Sequence, residues 1–301
     1  MTFLILSDNA TFISYITAEI KNREKSSKVY KSDFQEANLK KIKKQIQDIS
    51  LCFIYSEQEA ALTQLSISET SLITGYIISQ EVPVITNLSF LSNQTLFTKN
   101  DVISLSTKED FAEYFSKKYK SILNIYKIRS AKKELFARGI PFTPECFGSY
   151  IAKNKPEIFN LFISGGMDVN SCDDLGTPML NIAVRNDHED IVKYLIDLGA
   201  DINVSSQDRG YSPVMDAVWK GNTSITELLI KKGANLNTLS KDGQSNLVLA
   251  VGADRIPIVK LLVENGADPD VKDQMGMSAY NYATLFRKEK ITEILKPYHK
   301  E

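Results

Sequence analysis

Four carboxylates in the first part of the chain have positions suited to ligand chemistry. Asp8, Glu57, Glu59 and Glu69 all stand near the ends of apolar runs that are typical of buried strands. Ligand sites of α/β proteins form at the carboxyl ends of such strands. Acids at strand ends also serve merely as helix caps. These four are therefore candidate ligand-site residues, and their positions identify no reaction.

No other motif in the sequence points to catalysis. It contains no Gly-x-Gly-x-x-Gly, no Gly-x-x-x-x-Gly-Lys-Ser/Thr and no Cys and His residues at metal-ligand spacing. The three cysteines, Cys52, Cys146 and Cys172, are odd in number and far apart. That pattern suits a reducing cytosol better than a disulfide framework. The sequence therefore names no catalytic residue, and we expect no cofactor and no metal.

The charge balance argues against nucleic acid and membrane partners. The 36 lysines and arginines nearly cancel the 37 aspartates and glutamates, which gives a net charge of -1. Lys40, Lys41, Lys43 and Lys44 could contact phosphates, but no aromatic residues interleave with them, so a solvated helix face is favoured. The apolar run 2–6 is too short for a secretion signal. No stretch approaches the roughly 18 apolar residues of a membrane span, and we expect a cytoplasmic protein.

The N-terminal half shows the strands and helices that would position these carboxylates. Apolar runs predict five strands, at 2–6, 29–31, 51–55, 82–86 and 102–105. Two apolar stripes at helical spacing lie between them, namely Phe12, Ile13, Ile16 and Ile20, and Leu39, Ile42, Ile46 and Ile49. A long helix is predicted over 108–136. This alternation predicts a small parallel α/β sheet of flavodoxin-like type, in a domain over 1–137 that the long helix closes.

The C-terminal half repeats itself. The motif Gly-Ala-Asp-Ile-Asn at 199–203 recurs in related form at 166–170, 233–237 and 266–270, so the leading glycines are 33, 34 and 33 residues apart. An isoleucine stands eight residues before each glycine. Alanines stand eight residues before those isoleucines from the second unit onwards, at 183, 217 and 250. A fixed period of this length indicates a stack of repeated supersecondary units.

These residues resemble the ankyrin repeat, a unit of about 33 residues with one β-turn and two antiparallel helices. The segments 209–217 and 225–234 match the family pattern closely. The resemblance implies an all-α solenoid over 138–301. Its terminal caps are placed at about 142–170 and 274–301, and its inner repeats at about 171–273. His188 stands where these repeats usually carry a histidine between their helices, which implies a structural role.

A shorter resemblance concerns the N-terminal half. The segment 69–76, followed by 82–85, resembles the region after the third strand of nucleoside 2-deoxyribosyltransferases, and the TIR fold is a second candidate. The transferase pattern reads Gly-Thr-x-x-Glu-x-Gly, and its glutamate is the nucleophile. Glu69 stands at the first glycine and Ile73 at the glutamate. Because isoleucine cannot attack an anomeric carbon, the resemblance implies a related fold that has lost the chemistry.

The ankyrin resemblance also implies which residues bind a partner. Proteins of this family usually bind other proteins in a concave groove, through the turn tips and the ends of the first helices. Mapped onto this chain, the implied partner-binding residues are Asp174, Leu175, Thr177, Arg185, Asn186, Asp208, Arg209, Tyr211, Trp219, Lys220, Lys241, Asp242, Gln244, Gln274, Met275 and Met277. The equivalent helix positions of the next two repeats are Gly252, Ala253, Leu285 and Phe286.

Trp219 is the only tryptophan, and we predict that it is exposed in the middle of this surface. Tryptophan is among the residues that dominate binding energy at interfaces. We therefore interpret the chain as a scaffold that binds a protein through its repeats. Two alternatives stay open: an enzyme that acts on a nucleoside or NAD-like ligand through the N-terminal domain, targeted by the repeats, or an N-terminal domain that binds a small ligand without converting it.

Overall fold

The structure is a computed structural model. It describes residues 1–32, 49–57, 59, 62, 64–79, 82–92 and 102–300. Its internal contacts divide the chain into two compact units, Met1–Lys127 and Ile128–Glu301. Within the described ranges, no helix has the length and apolar character needed to cross a membrane.

The N-terminal unit is built on a parallel β-sheet. Its strands are β1 (Thr2–Ser7), β2 (Lys28–Ser32), β3 (Leu51–Tyr55), β4 (Val84–Thr86) and β5 (Val102–Ser104). These five strands of the described part are all parallel and follow the order β2-β1-β3-β4-β5. That is the flavodoxin-like order, with its topological switch point between β1 and β3. The predicted parallel α/β fold is confirmed. β4 begins two residues later than predicted, because Pro83 has no N–H to donate to a neighbouring strand.

Helices cover both faces of this sheet. They are α1 (Ala10–Arg23), α2 (Gln64–Ile78), α3 (Ser89–Ser92) and α4 (Lys108–Ala137). Successive strand residues point to opposite faces, so Leu4 and Leu6 of β1 enter one buried cluster while Phe3 and Ile5 enter another. Buried faces on both sides explain the unbroken apolar run of β1.

Of the two apolar stripes predicted for helices, the structure describes one fully and the other only at Ile49. In α1, Phe12, Ile16 and Ile20 are buried and Ile13 is half-buried, as a stripe facing the sheet should be. The second stripe lies outside the described residues except for Ile49, which is buried. The lysines Lys40, Lys41, Lys43 and Lys44 lie in the same undescribed range.

The C-terminal unit consists of helix pairs. Within the continuous described segment 102–300 there are five pairs. The first helices are α5 (Pro144–Ala152), α7 (Met179–Arg185), α9 (Pro213–Lys220), α11 (Asn246–Gly252) and α13 (Ala279–Leu285). The second helices are α6 (Pro156–Ser164), α8 (Glu189–Asp197), α10 (Thr223–Lys231), α12 (Ile256–Glu264) and α14 (Glu289–Leu295). One buried core runs through all five pairs. The periodic alanines 183, 217, 250 and 283 are fully buried, because a small side chain lets neighbouring first helices approach closely.

The repeated five-residue motif links each pair to the next. Its glycine adopts a left-handed backbone after the second helix, with a φ of 93° at Gly199, which only glycine adopts without strain. Its last asparagine reaches the following motif. The Asn203 side-chain oxygen accepts a hydrogen bond from the Asn235 N–H at 2.8 Å, and Asn237 accepts one from the Asp268 N–H at 2.9 Å. The motif therefore recurs because each copy satisfies the backbone of its neighbour.

The division between the two units falls inside α4, whereas the sequence predicted a boundary at 137/138. Residues 128–137 belong with the helix pairs because Leu135 joins their buried core. The Lys132 ammonium also lies 4.6 Å from the centroid of the Phe142 ring. The end of α4 thus packs with the first repeat although it continues the helix of the N-terminal unit.

Candidate protein-binding surface

The second to fifth repeats each begin with a tight turn whose tip is exposed. In the second repeat, one oxygen of Asp173 accepts hydrogen bonds from the Leu175 and Thr177 N–H groups, at 3.1 and 2.7 Å. Asp273 makes the same pair of bonds in the fifth repeat. A left-handed glycine closes each of these turns, at 176 and 276. The exposed tip residues are Asp174, Leu175, Asp208, Arg209, Lys241, Asp242, Gln274 and Met275.

Hydrogen bonds join the tips into a row. The Gln207 N–H donates to the Gly176 carbonyl and the Lys241 N–H donates to the Arg209 carbonyl, both at 3.0 Å. The Gln274 side chain donates to the Lys241 carbonyl at 2.9 Å. The relative positions of the tip backbones are therefore fixed before any partner arrives.

The ends of the first helices carry large apolar groups, and the end of α7 contacts the next tip, where Arg185 bonds Asp208. Trp219, at the end of α9, is 49% exposed. The equivalent residue of the fifth repeat, Leu285, is 62% exposed, and its neighbour Phe286 is 58% exposed. Asn186 and Lys220 are also exposed. We call the exposed tip residues and these helix-end residues together the tip face.

Several residues that the sequence assigned to this surface are not freely exposed. Thr177 and Tyr211 are only 5% and 6% exposed, so these two side chains offer little surface to a partner. Thr177 is held where its turn closes on Asp173, and the carbonyl of Tyr211 accepts from the Asn181 amide at 3.0 Å. Gln244 and Met277 are half-buried.

The Arg185 guanidinium binds other residues of the stack, although the sequence placed it on the partner-binding surface. It donates to Asp216 at 2.9 Å and to both oxygens of Asp208 at 2.9 and 3.0 Å, and it also bonds Ser206. Burial raises the pKa of the Asp216 carboxyl, and Arg185 only partly offsets this. Partial burial acts on Asp208 too, but hydrogen bonds from Arg185 and Ser206 outweigh it and hold the pKa of Asp208 well below its usual range. Arg185 therefore joins two repeats.

Three basic side chains cap the carboxyl end of the first helix of the preceding repeat. They lie in the second, fourth and fifth repeats. His188 bonds the Ala152 carbonyl at 2.9 Å, Lys288 donates to the Val251 carbonyl at 2.8 Å, and Arg255 lies 3.5 Å from the Lys220 carbonyl. Cations are stabilised at helix carboxyl ends, where unpaired carbonyls face outwards. The bond to the Ala152 carbonyl thus supports the structural role predicted for His188. The cations at 255 and 288 were missed, although their spacing from His188 follows the repeat period.

The predicted N-terminal ligand-site residues are only partly brought together. The Ser56 hydroxyl donates to Asp8 at 2.6 Å, and the Ser56 N–H donates to the Asn87 side chain at 3.0 Å, which joins the ends of β1, β3 and β4. Glu59 accepts from the Ser89 hydroxyl at 2.9 Å, while Glu57 is exposed. These bonds link strand ends to one another.

Three further observations bear on chemistry. Glu69 lies in α2, and its side chain is outside the described part. Ile73, which stands where the transferases carry their nucleophile, is fully buried in the core, so it contacts no substrate. Among the described residues no group of His, Cys, Asp and Glu has a metal-binding arrangement.

Stacked helix pairs with a shared core, linked tips and exposed first-helix ends define a helical repeat protein. The model of the ankyrin repeat family matches residues 149–240 and 214–301, which together span 149–301, just over half of the chain. The chain belongs to the ankyrin repeat family, as the sequence predicted.

Similar proteins come from bacteria and animals. An ankyrin repeat-containing protein of Treponema pallidum is 36% identical over 186 residues, covering 62% of this chain and 62% of that protein. The mouse B-cell lymphoma 3 protein homolog is 34% identical over 110 residues, covering 36% of this chain and 25% of that protein. Human neurogenic locus notch homolog protein 1 is 28% identical over 133 residues, covering 44% of this chain and 5% of that protein. The matched region thus spans less than two thirds of each relative.

Proposed function

We propose that this chain is a scaffold that binds a protein partner through its tip face. The observation that carries the proposal is Trp219, a large apolar side chain that is 49% exposed at the end of α9. Exposed apolar groups that cluster on a folded surface mark interaction sites. Tryptophan and arginine are also the residues most often found at the energetic centre of interfaces. Trp219 satisfies both conditions, and Arg209 on the same repeat satisfies the second.

The rigidity of the surface supports the same proposal. The backbone bonds between tips at Gly176, Gln207, Arg209 and Lys241 hold the tip backbones in place. A surface that is ordered before binding loses little conformational entropy when a partner docks, which strengthens affinity. Membership of the ankyrin repeat family supports protein binding in general and leaves the partner open.

We also propose that the protein acts in the cytoplasm. Cys52, Cys146 and Cys172 are all free thiols. A reducing compartment keeps cysteines in this state. The partner should then be found in a cytoplasmic extract.

The experiment begins with a tagged pull-down from the native cell lysate and identification of the partner by mass spectrometry. Affinity is then measured by calorimetry for the double variant Trp219→Ala with Arg209→Ala. We expect a loss of more than about 2 kcal/mol, the scale of a central hot spot. The fold should persist, because both side chains are exposed. Arg209 lies 5.4 Å from the centroid of the Tyr211 ring and 3.9 Å from Asp208, both surface contacts.

The matched control removes charge from the opposite helices. Lys231→Ala with Lys232→Ala deletes two exposed lysines at the end of α10, whose ion pairs with Glu227 and Asp197 are on the surface. Surface ion pairs contribute little to stability, so this variant should match the unmodified protein in affinity and in its thermal melt. Full affinity in the Trp219 and Arg209 variant would move the interface elsewhere. A large decrease in the melting temperature of this variant would show that Trp219 is a core residue.

A further inference from the structure

The tip face contains a depression over the fourth repeat. Trp219, Gly252 and Leu285 occupy equivalent positions at the ends of three successive first helices, α9, α11 and α13. Gly252 has no side chain, and a Cβ atom placed on it would meet no atom within 4 Å. The next positions along the chain are Lys220, Ala253 and Phe286. The fourth repeat again has the smallest side chain of the three.

The residues on either side of the depression are apolar and exposed. Trp219 stands on the third repeat, and Leu285 and Phe286 stand on the fifth. The Phe286 ring stacks on Tyr282 with centroids 5.9 Å apart and planes inclined by 8°, which fixes the ring in place. The depression is therefore lined by bulky apolar groups although it faces water.

The width of the depression suits one α-helix. The first helices of adjacent repeats pack against each other, and packed helices have axes roughly 8–10 Å apart. Two such spacings separate α9 from α13, which is about 16–20 Å. An α-helix with its side chains is about 10–12 Å across. A helix laid along α11 therefore fits between Trp219 and Leu285, with its apolar side chains over Gly252.

Positive charge borders the same place. Lys220 is the last residue of α9, and the loops after the other two first helices contain Arg255, Arg287 and Lys288. Carboxylates are fewer there: Lys220 pairs with Asp187 at 3.2 Å and Lys288 with Asp254 at 3.2 Å. Arg255 and Arg287 are exposed on this border. An acidic segment matches this excess of positive charge, and a basic segment is repelled by it.

We propose that the depression over Gly252 binds an acidic amphipathic helix of the partner protein. This inference rests on the proposed function of the tip face and adds the shape and charge of what it binds. Apolar side chains at i, i+4 and i+7 would lie between Trp219 and Leu285, as in other helix-in-groove complexes. Acidic side chains on the flanks would face Arg255 and Arg287.

The test uses two synthetic helical peptides and the single tryptophan as the reporter. Both peptides carry leucine and phenylalanine at i, i+4 and i+7; one has glutamates at the remaining positions and the other has lysines. The full chain is titrated with each peptide while Trp219 fluorescence is recorded. We expect the acidic peptide to bind at least about tenfold more tightly at low salt, with a difference that shrinks as salt screens the charges.

Two variants locate the binding. Gly252→Leu fills the depression and should weaken the acidic peptide by at least about tenfold, while Gly252→Ala, which adds one methyl group, should have a much smaller effect. Both changes favour the helix intrinsically, and a thermal melt of each variant checks the fold. Arg287→Glu reverses one border charge and should weaken the acidic peptide while strengthening the basic one. Lys231→Ala should change neither.

The outcomes separate this inference from the proposed function. The inference is overturned if the basic peptide binds as tightly as the acidic one, if neither peptide binds, or if Gly252→Leu leaves the affinity unchanged. The proposed function survives each of these results as long as the natural partner still requires Trp219 and Arg209. It fails only if that partner binds the Trp219 and Arg209 double variant with full affinity.

Discussion

At the scale of single residues, Arg185 shows that a residue at the end of a first helix can serve the stack instead of a partner. Asp216, its neighbour in the next repeat, is 1% exposed and receives hydrogen bonds from Arg185 at 2.9 Å and from Asn181 at 2.8 Å. A buried carboxylate without partners is strongly unfavourable. Arg185 therefore stabilises the contact between the second and third repeats.

Removal of the Arg185 side chain should destabilise the protein. Arg185→Ala leaves Asp216 buried without its charge partner, and we expect a loss of about 3 kcal/mol in the free energy of unfolding. Arg209→Ala is the matched control, because the Arg209 guanidinium is exposed and lies 3.9 Å from Asp208. Its loss should be well under 1 kcal/mol, as for other surface ion pairs. Urea unfolding followed by circular dichroism measures both. Equal losses in the two variants would contradict the structural role of Arg185.

At the scale of secondary-structure elements, the turn between the two helices of a pair stores backbone strain. The third repeat has Gly221 there, with a φ of 78°. The other repeats have Asn154, Asp187, Asp254 and Arg287 at this position, with φ values between 50° and 58°. Asparagine and aspartate tolerate the left-handed region better than other residues with a side chain. Arg287 is thus the most strained of the five.

Relief of that strain should stabilise the protein. Arg287→Gly removes a side chain from a left-handed position, and we expect a gain of about 0.5–1 kcal/mol after the higher chain entropy of glycine is counted. Gly221→Ala is the reverse experiment and should destabilise, since alanine is strained at the left-handed φ of 78°. Thermal melts of both variants give the sign. A lower melting temperature for Arg287→Gly would mean that its side chain makes a stabilising contact that outweighs the strain.

At the scale of the whole repeat unit, the fifth helix pair covers the fourth. Ala279, Ala283, Ile291 and Leu295 are buried in the common core. The motif before this pair ends in Asp270, where earlier repeats have asparagine, and the carboxylate accepts from His299 at 2.5 Å and from the Lys300 N–H at 2.7 Å. Residues after α14 thus occupy the place that a following motif has in the inner repeats.

Deletion of 274–301 should expose the apolar side of the fourth repeat, because stacked units bury their core only against neighbours. We expect the shortened protein to melt well below the full chain or to aggregate. Size-exclusion chromatography and a thermal melt of the two proteins distinguish these outcomes from no effect. A monomer with an unchanged melt would show that 274–301 does not act as a cap.

The repeat architecture could be predicted from the sequence because its determinants are local. Glycine at 199 and its equivalents is required by a left-handed backbone, and the alanine at 183 and its equivalents by close helix packing. Both requirements recur every 33 or 34 residues and need no knowledge of the rest of the chain. The alternation of apolar strands and amphipathic helices predicted the parallel sheet for the same reason. The exposure of Trp219 also followed from its register within the repeat.

The tertiary structure alone decided which candidate residues face solvent. Thr177, Arg185 and Tyr211 have the register of partner-binding residues, yet they are withdrawn by contacts with their own turn or with the next repeat. Likewise, Gly252 forms a depression only because bulky residues stand on the repeats on both sides of it. A repeat period records the environment that equivalent positions share. It does not record the particular side chains that neighbouring repeats bring into contact, because those contacts exist only once the repeats are stacked.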